Sequence, residues 1–357
     1  MFCVVGLEEE GKWLDWLDGF ENKDIYYYPN YCRLNLENGE GIPFAAYYED
    51  AHGQVLYVYL ERNIADLSWL KARDQWTKYR DIVTPYGYVG PLVSCKEGNR
   101  KQLLAGFRDQ FDKLCQEQKI VSEFIRFHPL LKNHLDLPSS LEVEFNRFTV
   151  TVDLSQGENK IWENMHSAFR NRTRKALKKG VTVTFSKTEE DLREFQRLYY
   201  LTMDKVNADK YYYFPTSYFK NLLDFGVDFV LANAWYGGKI IASGLILCCR
   251  PFMHRHLAGS DSDYLHFAAN NLVDFETIKY GAEKGYKYLH IGGGNSSNDK
   301  DSLFRYKKNM APDGLKEFWV GKKIHIDEVY KHLSSQWQES VPGSKVDMDF
   351  FPIYRWS

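Results

Sequence analysis

The spacing of hydrophobic residues alternates along the chain between a helical period of three to four residues and the strand period of two. Prolines and glycines alternate with tyrosines over residues 81–91, which predicts an ordered loop there rather than a helix or a central strand. The elements predicted for the first half are a strand at 3–5, a helix around 13–17, hairpin strands at 42–48 and 55–60, a helix at 98–118 and a strand at 121–127.

The second half repeats this order more completely, after a long alternating strand at residues 141–154 that we interpret as the crossover between two domains. Its predicted elements are helices at 158–179, 192–203, 217–225 and 271–284, and strands at 181–185, 227–236, 239–249, 253–257 and 286–291. This order is similar to that of the GNAT acyltransferase fold. We therefore predict an α/β (α+β) protein with two tandem GNAT-like domains, residues 1–145 and 146–357, each with a mixed sheet flanked by helices.

Composition limits the kinds of function. The chain has 357 residues, of which 44% are hydrophobic, and a formal net charge of -2, which excludes a uniformly basic nucleic-acid coat, so that any anion site must be local. The six cysteines form no CxxC pair, and no hydrophobic run reaches the roughly 18 residues of a membrane span. A soluble, cytoplasmic protein with reduced thiols is expected.

A glycine-rich turn and a lysine define the first candidate site. An apolar run ends in three glycines, and a polar loop then leads into an aromatic and basic helix. Glycines at the end of a buried strand let a substrate approach main-chain N–H groups closely. The alternative is a surface turn followed by a solvated helix. The candidate residues are Gly292, Gly293, Gly294, Phe304, Tyr306 and Lys307.

A dense group of cations defines the second candidate site. Six lysines and arginines fall within residues 170–179, with no carboxylate from 170 to 187, and three of them at i, i+4 and i+8 share a helical stripe. A phosphate-bearing ligand accounts for this density, although cations at the end of a helix also complement its dipole. The residues proposed to bind phosphate are Arg170, Asn171, Arg174 and Lys175.

Other polar and aromatic residues are weaker candidates. Tyr86 and Tyr88 either line a groove or pack within their loop, and Arg126 either binds an anion at the end of its strand or is an ordinary edge residue. His254 and His256 would share a strand face and begin a metal site, but no third ligand is apparent. A core or cleft histidine is therefore preferred, and no metal is expected.

Several of these motifs resemble the Fem transferases, the aminoacyl-tRNA-dependent enzymes that build peptidoglycan cross-bridges. The similar segments are Arg170-Asn171, Arg174-Lys175-Ala176, Gly180-Val181, His254 to Ser260, Ala268 to Leu272, His290 to Gly294, Asp301 to Lys308, Gly90-Pro91 and Phe350-Phe351-Pro352. No charged heptad arm interrupts the second half, so the resemblance is to the shorter members.

The resemblance implies attack of an acceptor amine on an activated ester. Lys307 would stabilise the tetrahedral intermediate or the departing ribose oxygen, Tyr306 would pack the terminal adenine, and Phe304 would limit solvent. His256, Asn270 and Asn271 are added from the family's second-domain motifs. No bound cofactor is implied.

The donor and the acceptor remain open at the level of sequence. Aminoacyl-tRNA is favoured as the co-substrate, because residues 262–271 lack the glycine-rich turn with which GNAT enzymes hold the pyrophosphate of coenzyme A. The expected acceptor is a nucleotide- or lipid-linked cell-wall or surface-polysaccharide precursor, reached without a transmembrane segment and with peripheral membrane association as an option. The alternatives are an acetyl-CoA-dependent N-acyltransferase of an amino sugar and a non-catalytic RNA- or polymer-binding relative.

Overall fold

A computed structural model describes residues 1–71, 73–296, 298, 300–341 and 350–356. Two residues of the polar loop after the glycines, Ser297 and Asp299, lie outside the described residues. The chain forms two compact units, Met1–Asn146 with Phe318–Ser357, and Arg147–Glu317. Residues 318–357, which the sequence-based division placed with the second domain, instead belong to the first unit.

The elements are as follows. The strands are β1 Phe2–Gly6, β2 Ile42–Asp50, β3 Gly53–Asn63, β4 Arg80–Val83, β5 Leu92–Cys95, β6 Ile120–Arg126, β7 Glu142–Asp153, β8 Thr182–Ser186, β9 Phe229–Tyr236, β10 Lys239–Cys249, β11 Phe252–Ser260, β12 Tyr288–Gly292 and β13 Leu315–Ile324. The helices are α1 Glu10–Asp18, α2 Pro29–Glu37, α3 Arg100–Glu117, α4 Glu158–Asn164, α5 Ser167–Lys178, α6 Glu189–Lys205, α7 Thr216–Asp224, α8 Ala269–Glu283, α9 Ser302–Met310 and α10 Asp327–Ser340.

The first unit is built on a mixed sheet with the strand order β1-β2-β3-β4-β6-β13, and β5 pairs with β3. The pair β4–β6 is parallel and the other pairs are antiparallel. Helix α3 buries Leu103, Phe107 and Phe111 because these residues recur every three or four positions. The two phenylalanine rings pack against Tyr57. Strand β13 pairs with β6 over Val320–Ile324, which explains why the end of the chain belongs here.

The second unit has the strand order β7-β12-β11-β10-β9-β8. Its one parallel pair among the described residues, β11–β12, is hydrogen-bonded only from Phe252 with Tyr288 to His254 with His290, whereas β11 continues to Ser260. The two strands therefore separate beyond His254. The core between β7, β12 and the helices includes Phe169, Ile278 and Phe304, all buried.

Two local predictions differ from the structure. The helix predicted at 158–179 is interrupted, because the backbone of Met165 and His166 is extended and the His166 ring accepts a hydrogen bond from the Ala168 N–H to cap α5. The loop predicted at 81–91 begins inside strand β4, whose residues pair with both β3 and β6. Among the described residues, every helix is too short or too polar to span a lipid bilayer.

Candidate active site

The glycine turn and helix α9 form one fixed substructure. The Asp301 carboxylate caps α9, because its Oδ1 accepts the Phe304 N–H at 2.8 Å while its Oδ2 accepts the Asn295 N–H at 3.1 Å. A Cβ atom on Gly294 would lie 2.5 Å from Asp301 Oδ1, so a side chain at Gly294 is incompatible with this cap. The glycine therefore allows the strand-to-helix connection to close tightly.

Lys307 lies against this turn. Its Nζ donates to the Gly293 carbonyl oxygen at 2.7 Å, which confirms the predicted proximity of the lysine and the glycines. Burial, together with the nearby positive charge of Arg255, lowers the pKa of Lys307 from 10.5 to about 7. Near neutral pH this side chain therefore exchanges between ammonium and amine, which suits a group that transfers protons.

A buried carboxylate orients the residues around Lys307. Asp274 on α8 accepts a hydrogen bond from Arg255 Nε at 2.5 Å and another from the Tyr306 hydroxyl at 2.6 Å. Burial, and then the Asp274 charge, raises the pKa of the Tyr306 phenol well above 10, so the phenol stays a donor. Sequence reasoning missed Arg255 and Asp274. The available signal was an aspartate between two apolar residues, Val273 and Phe275, in a helix predicted to be buried on one face.

A cleft of about 440 Å³ opens beside the N-terminus of α8. Ala268, with φ of 59°, turns the chain into the helix, and no side chain caps the first turn. Asn270 and Asn271 lie in that turn and line the cleft, as do Arg172 and Lys175 of α5. Main-chain N–H groups at a helix N-terminus together with two cations are typical of a phosphate site.

The cleft leads toward α9. A second cavity of about 300 Å³ shares Arg172, Asn271 and Tyr306 with the first and is also lined by Arg305. Neither Arg172 nor Lys175 forms an ion pair with a carboxylate in the part of the chain that the structure describes. Cations held free of acidic partners are available to an anionic ligand.

The chain is similar in fold to known acyltransferase structures. Residues 164–308 match the family model for an acetyltransferase (GNAT) domain. The crystal structure of FemX superposes on this chain with a TM-score of 0.67 at 14% sequence identity, and the alignment covers 93% of this chain and 99% of the FemX chain. The C-terminal domain of a putative lysylphosphatidylglycerol synthetase from Agrobacterium fabrum has a TM-score of 0.55 at 11% identity, covering 94% of this chain and 98% of that domain. The chain has a Fem-type double-GNAT fold.

These likenesses concern the fold, because the identities are low. L-PGS from Bacillus licheniformis has a TM-score of 0.55 at 12% identity and covers 88% of this chain and 91% of its own. A search of curated proteins finds no match. Within this Fem-type fold, the cleft, Asp274 and Lys307 all belong to the second unit, which contains the matched GNAT domain.

The predicted cation stripe does not line the cleft. Arg170 Nη1 donates to the Glu163 carbonyl oxygen at 3.0 Å, and the Arg174 guanidinium lies 5.2 Å from the centre of the Trp162 ring, so both side chains contact α4. Asn171 is exposed and accepts a hydrogen bond from Arg174. Of the residues predicted to bind phosphate on α5, the structure places only Lys175 at the cleft, and it adds Arg172.

His256 points away from Lys307. The register of β10 and β11 shifts at Leu245 and Ile246, which places an extra residue, His256, in β11 as a β-bulge. Arg255 then reaches Asp274 on α8, whereas His256 Nε2 lies 2.8 Å from the Tyr218 hydroxyl on α7. Burial, with a smaller contribution from His254, lowers the pKa of His256 to about 3, so its ring is neutral. A catalytic role beside Lys307 is not supported by this placement.

The remaining predicted residues have packing contacts. Phe304 is buried in the core of the second unit rather than at the cleft surface. In the first unit, Arg126 Nη1 donates to the Thr84 carbonyl oxygen at 3.1 Å, the Tyr86 carbonyl oxygen accepts the Tyr31 hydroxyl, and Tyr88 packs edge-on against Tyr26. Gly292, with φ of 71°, ends β12 in a conformation that favours glycine.

Proposed function

We propose that the protein is an aminoacyltransferase that moves an amino acid from aminoacyl-tRNA to an amine, forming an amide. The observation that supports this most directly is a phosphate-type cleft, formed by Arg172, Lys175 and the N-terminus of α8, that extends to Tyr306. The next residue along α9, Lys307, contacts the glycine turn. A polyanionic carrier bound in the cleft would present its ester at α9.

The local backbone favours tRNA over coenzyme A. Residues Ser262–Phe267 form a 3₁₀ helix whose N–H groups are used internally: Asp263 N–H donates to Asp261 Oδ1, and the Tyr264 and Ala268 N–H groups donate to carbonyl oxygens. A GNAT pyrophosphate loop needs such groups free.

The chemistry required of the protein is modest because the ester is already activated. The neutral acceptor amine attacks the ester carbonyl carbon, and the carbon–oxygen bond to the ribose breaks with release of a ribose hydroxyl. The Lys307 ammonium donates a proton to the departing oxygen and recovers one from the new, positively charged amide nitrogen. A pKa of about 7 makes both transfers feasible near neutral pH.

The acceptor follows from the Fem resemblance. The proposed acceptor is an amine of a nucleotide- or lipid-linked cell-wall or surface-polysaccharide precursor, and the proposed place of the reaction is the cytoplasm. If the precursor is lipid-linked, the protein would associate peripherally with the membrane. The second candidate function, acyl transfer from acetyl-CoA to an amino sugar, is favoured by the match to an acetyltransferase domain model.

The two donors can be compared directly. The purified protein is incubated with tRNA charged with radiolabelled amino acids, or with labelled acetyl-CoA, and with a panel of nucleotide-linked amine acceptors. We expect label to pass from the tRNA to a nucleotide in an alkali-stable amide. Transfer from acetyl-CoA alone would contradict the proposal, and transfer from neither donor would favour a binding function.

A further inference from the structure

We infer that Tyr264, Leu265 and His266 form a stacking platform for an unpaired nucleobase of the RNA donor, beside the cations that bind its backbone. This inference rests on the proposed function and adds a contact that distinguishes an RNA strand from a simple phosphate. We call these three residues the base platform. They are consecutive in the 3₁₀ helix Ser262–Phe267, and all three line the 440 Å³ cleft.

In the base platform Leu265 and His266 are exposed and Tyr264 is half-buried, and a buried ring supports them from beneath. Leu265 is 40% exposed, and His266 is exposed as well. Beneath them Phe267 is buried, with its ring centre 4.3 Å from that of His266 and 5.9 Å from that of Tyr264. Tyr236 also packs against Phe267, with the two ring centres 4.2 Å apart. Aromatic rings held in place in this way lose little conformational entropy when a flat ligand stacks on them.

Tyr264 separates two cavities. Besides the 440 Å³ cleft, it lines a neighbouring cavity of about 420 Å³ between the start of α6 and the β9–β10 hairpin. Tyr264 therefore forms part of the wall of both cavities. The charges that line the second cavity sum to -1, from four carboxylates (Glu190, Asp191, Glu194 and Asp261) and three cations (Arg193, Arg197 and Lys239). Those of the first cavity sum to +1, from Arg172 and Lys175 against Asp261, so the strand is assigned to the first cavity.

The cations and the aromatic rings of the cleft would contact different parts of one RNA strand. Arg172 and Lys175 on α5 would bind phosphates, while the base platform on the 3₁₀ helix offers ring faces across the same cleft. Proteins that bind single-stranded nucleic acid combine a cationic groove with aromatic rings on which bases stack. The unpaired 3′ end of a tRNA is a strand of this kind.

The test uses an RNA hairpin with an unpaired 3′ ACCA end, in which 2-aminopurine replaces the first adenine. We expect its fluorescence to be quenched on binding to the wild-type protein, and Tyr264→Leu to weaken binding roughly tenfold, the typical loss of one base–aromatic contact. Tyr264→Phe keeps the ring and should bind like the wild type. Tyr211→Leu removes a tyrosine that is 46% exposed on another 3₁₀ helix, Lys210–Tyr212, and should change nothing.

The outcomes separate the platform from the function. If the wild type binds the hairpin but Tyr264→Leu binds equally well, or the 2-aminopurine signal does not change, the base platform is overturned while the tRNA donor stands. If the wild type does not bind the hairpin, both are overturned. A dependence on Tyr264 that appears only with acetyl-CoA would assign the platform to the adenine of that cofactor instead and overturn the RNA assignment.

Discussion

At the level of single residues, Lys307 carries the main catalytic prediction. Lys307→Met keeps much of the aliphatic stem and removes the charge and the proton donor. We expect the transfer step to slow by about 3 kcal/mol, a few hundredfold, because a preorganised donor in a partly buried site stabilises developing charge better than water does. Single-turnover kinetics with a charged donor measure this step separately from acceptor binding.

The matched control is the next residue. Lys308 is exposed and lies in the same turn of the helix, about 100° further round. Lys308→Met therefore removes an equal positive charge but leaves the contact with Gly293 intact. It should transfer at the wild-type rate. Equal losses in the two variants, or no loss in either, would show that the aromatic-lysine element is structural.

The pair Arg255 and Asp274 gives a prediction about pH. The protonated form of Lys307 is the donor, so the transfer rate should fall as pH rises through about 7. Arg255 lowers the pKa of Lys307 and Asp274 raises it. Arg255→Gln should therefore move the falling limb to higher pH, and Asp274→Asn should move it to lower pH. The measurement is the pH profile of single-turnover transfer.

Opposite shifts are what an electrostatic effect on Lys307 requires. A general loss of structure would reduce the rate in both variants without moving the limb in opposite directions. Lys307→Arg provides the reference, because arginine stays protonated across this range and the falling limb should disappear even if the rate is low. A limb near pH 7 that persists in Lys307→Arg would assign it to another group.

At the level of elements, α5 presents two groups of cations to different surroundings. Arg172 and Lys175 line the cleft at the N-terminus of α8, whereas Arg170 and Arg174 contact α4. We expect Arg172→Ala with Lys175→Ala to weaken binding of uncharged tRNA and to reduce the slope of log affinity against log salt by about 1.4, the value for two phosphate contacts on a single strand.

Arg170→Ala with Arg174→Ala is the comparison, since it removes the same number of charges from the same helix. Filter binding at several salt concentrations should show a smaller loss and a smaller change of slope than in the cleft variant. The reverse order would favour the stripe predicted from sequence, and equal changes would indicate diffuse attraction to the whole helix.

The sequence predicted helices, strands and contacts between neighbouring segments better than it predicted which face of a helix or strand meets the cleft. Most strands and helices follow from hydrophobic periodicity, although α2, β4, β5, β13 and α10 were not predicted, and the contact between Lys307 and the glycine turn follows from a short connection along the chain. The cleft side of α5 does not, because it depends on where the N-terminus of α8 lies, almost 100 residues away in sequence. The bulge that turns His256 toward Tyr218 is equally invisible in an alternating pattern.

At the level of the whole chain, the first unit is discontinuous. The chain leaves it after Asn146 and returns at Phe318. Contacts such as the hydrogen bond from Trp69 Nε1 to the Tyr354 carbonyl oxygen, at 2.8 Å, join residues 285 positions apart. Periodicity within a window of residues carries no information about such a return, which explains why a single boundary at 145 misplaced the end of the chain.

A buried carboxylate is central to this return. Asp81 on β4 is fully buried, and its two oxygens accept hydrogen bonds from Arg62 Nε and Arg355 Nε, both at 2.7 Å. Arg355 also donates to the Asn63 carbonyl oxygen at 3.1 Å. Although burial opposes it, the two guanidinium groups, Arg355 first, hold the pKa of Asp81 below its usual 3.8.

Arg355→Met should destabilise the first unit by roughly 3 kcal/mol at pH 7, because it leaves a buried carboxylate with one cation in place of two. Denaturant unfolding followed by tryptophan fluorescence measures the loss.

The pH dependence of this loss tests its cause. Because the pKa of Asp81 is depressed in the folded state, its contribution to the free energy of unfolding is present above about pH 3.8 and is lost as pH falls. The difference between variant and wild type should therefore narrow below pH 4. Lys331→Met, which breaks an exposed pair with Asp327, should change neither the midpoint nor its pH dependence. A loss in Arg355→Met that stays constant down to pH 3 would mean that the arginine acts through packing of its stem rather than through the charge of Asp81.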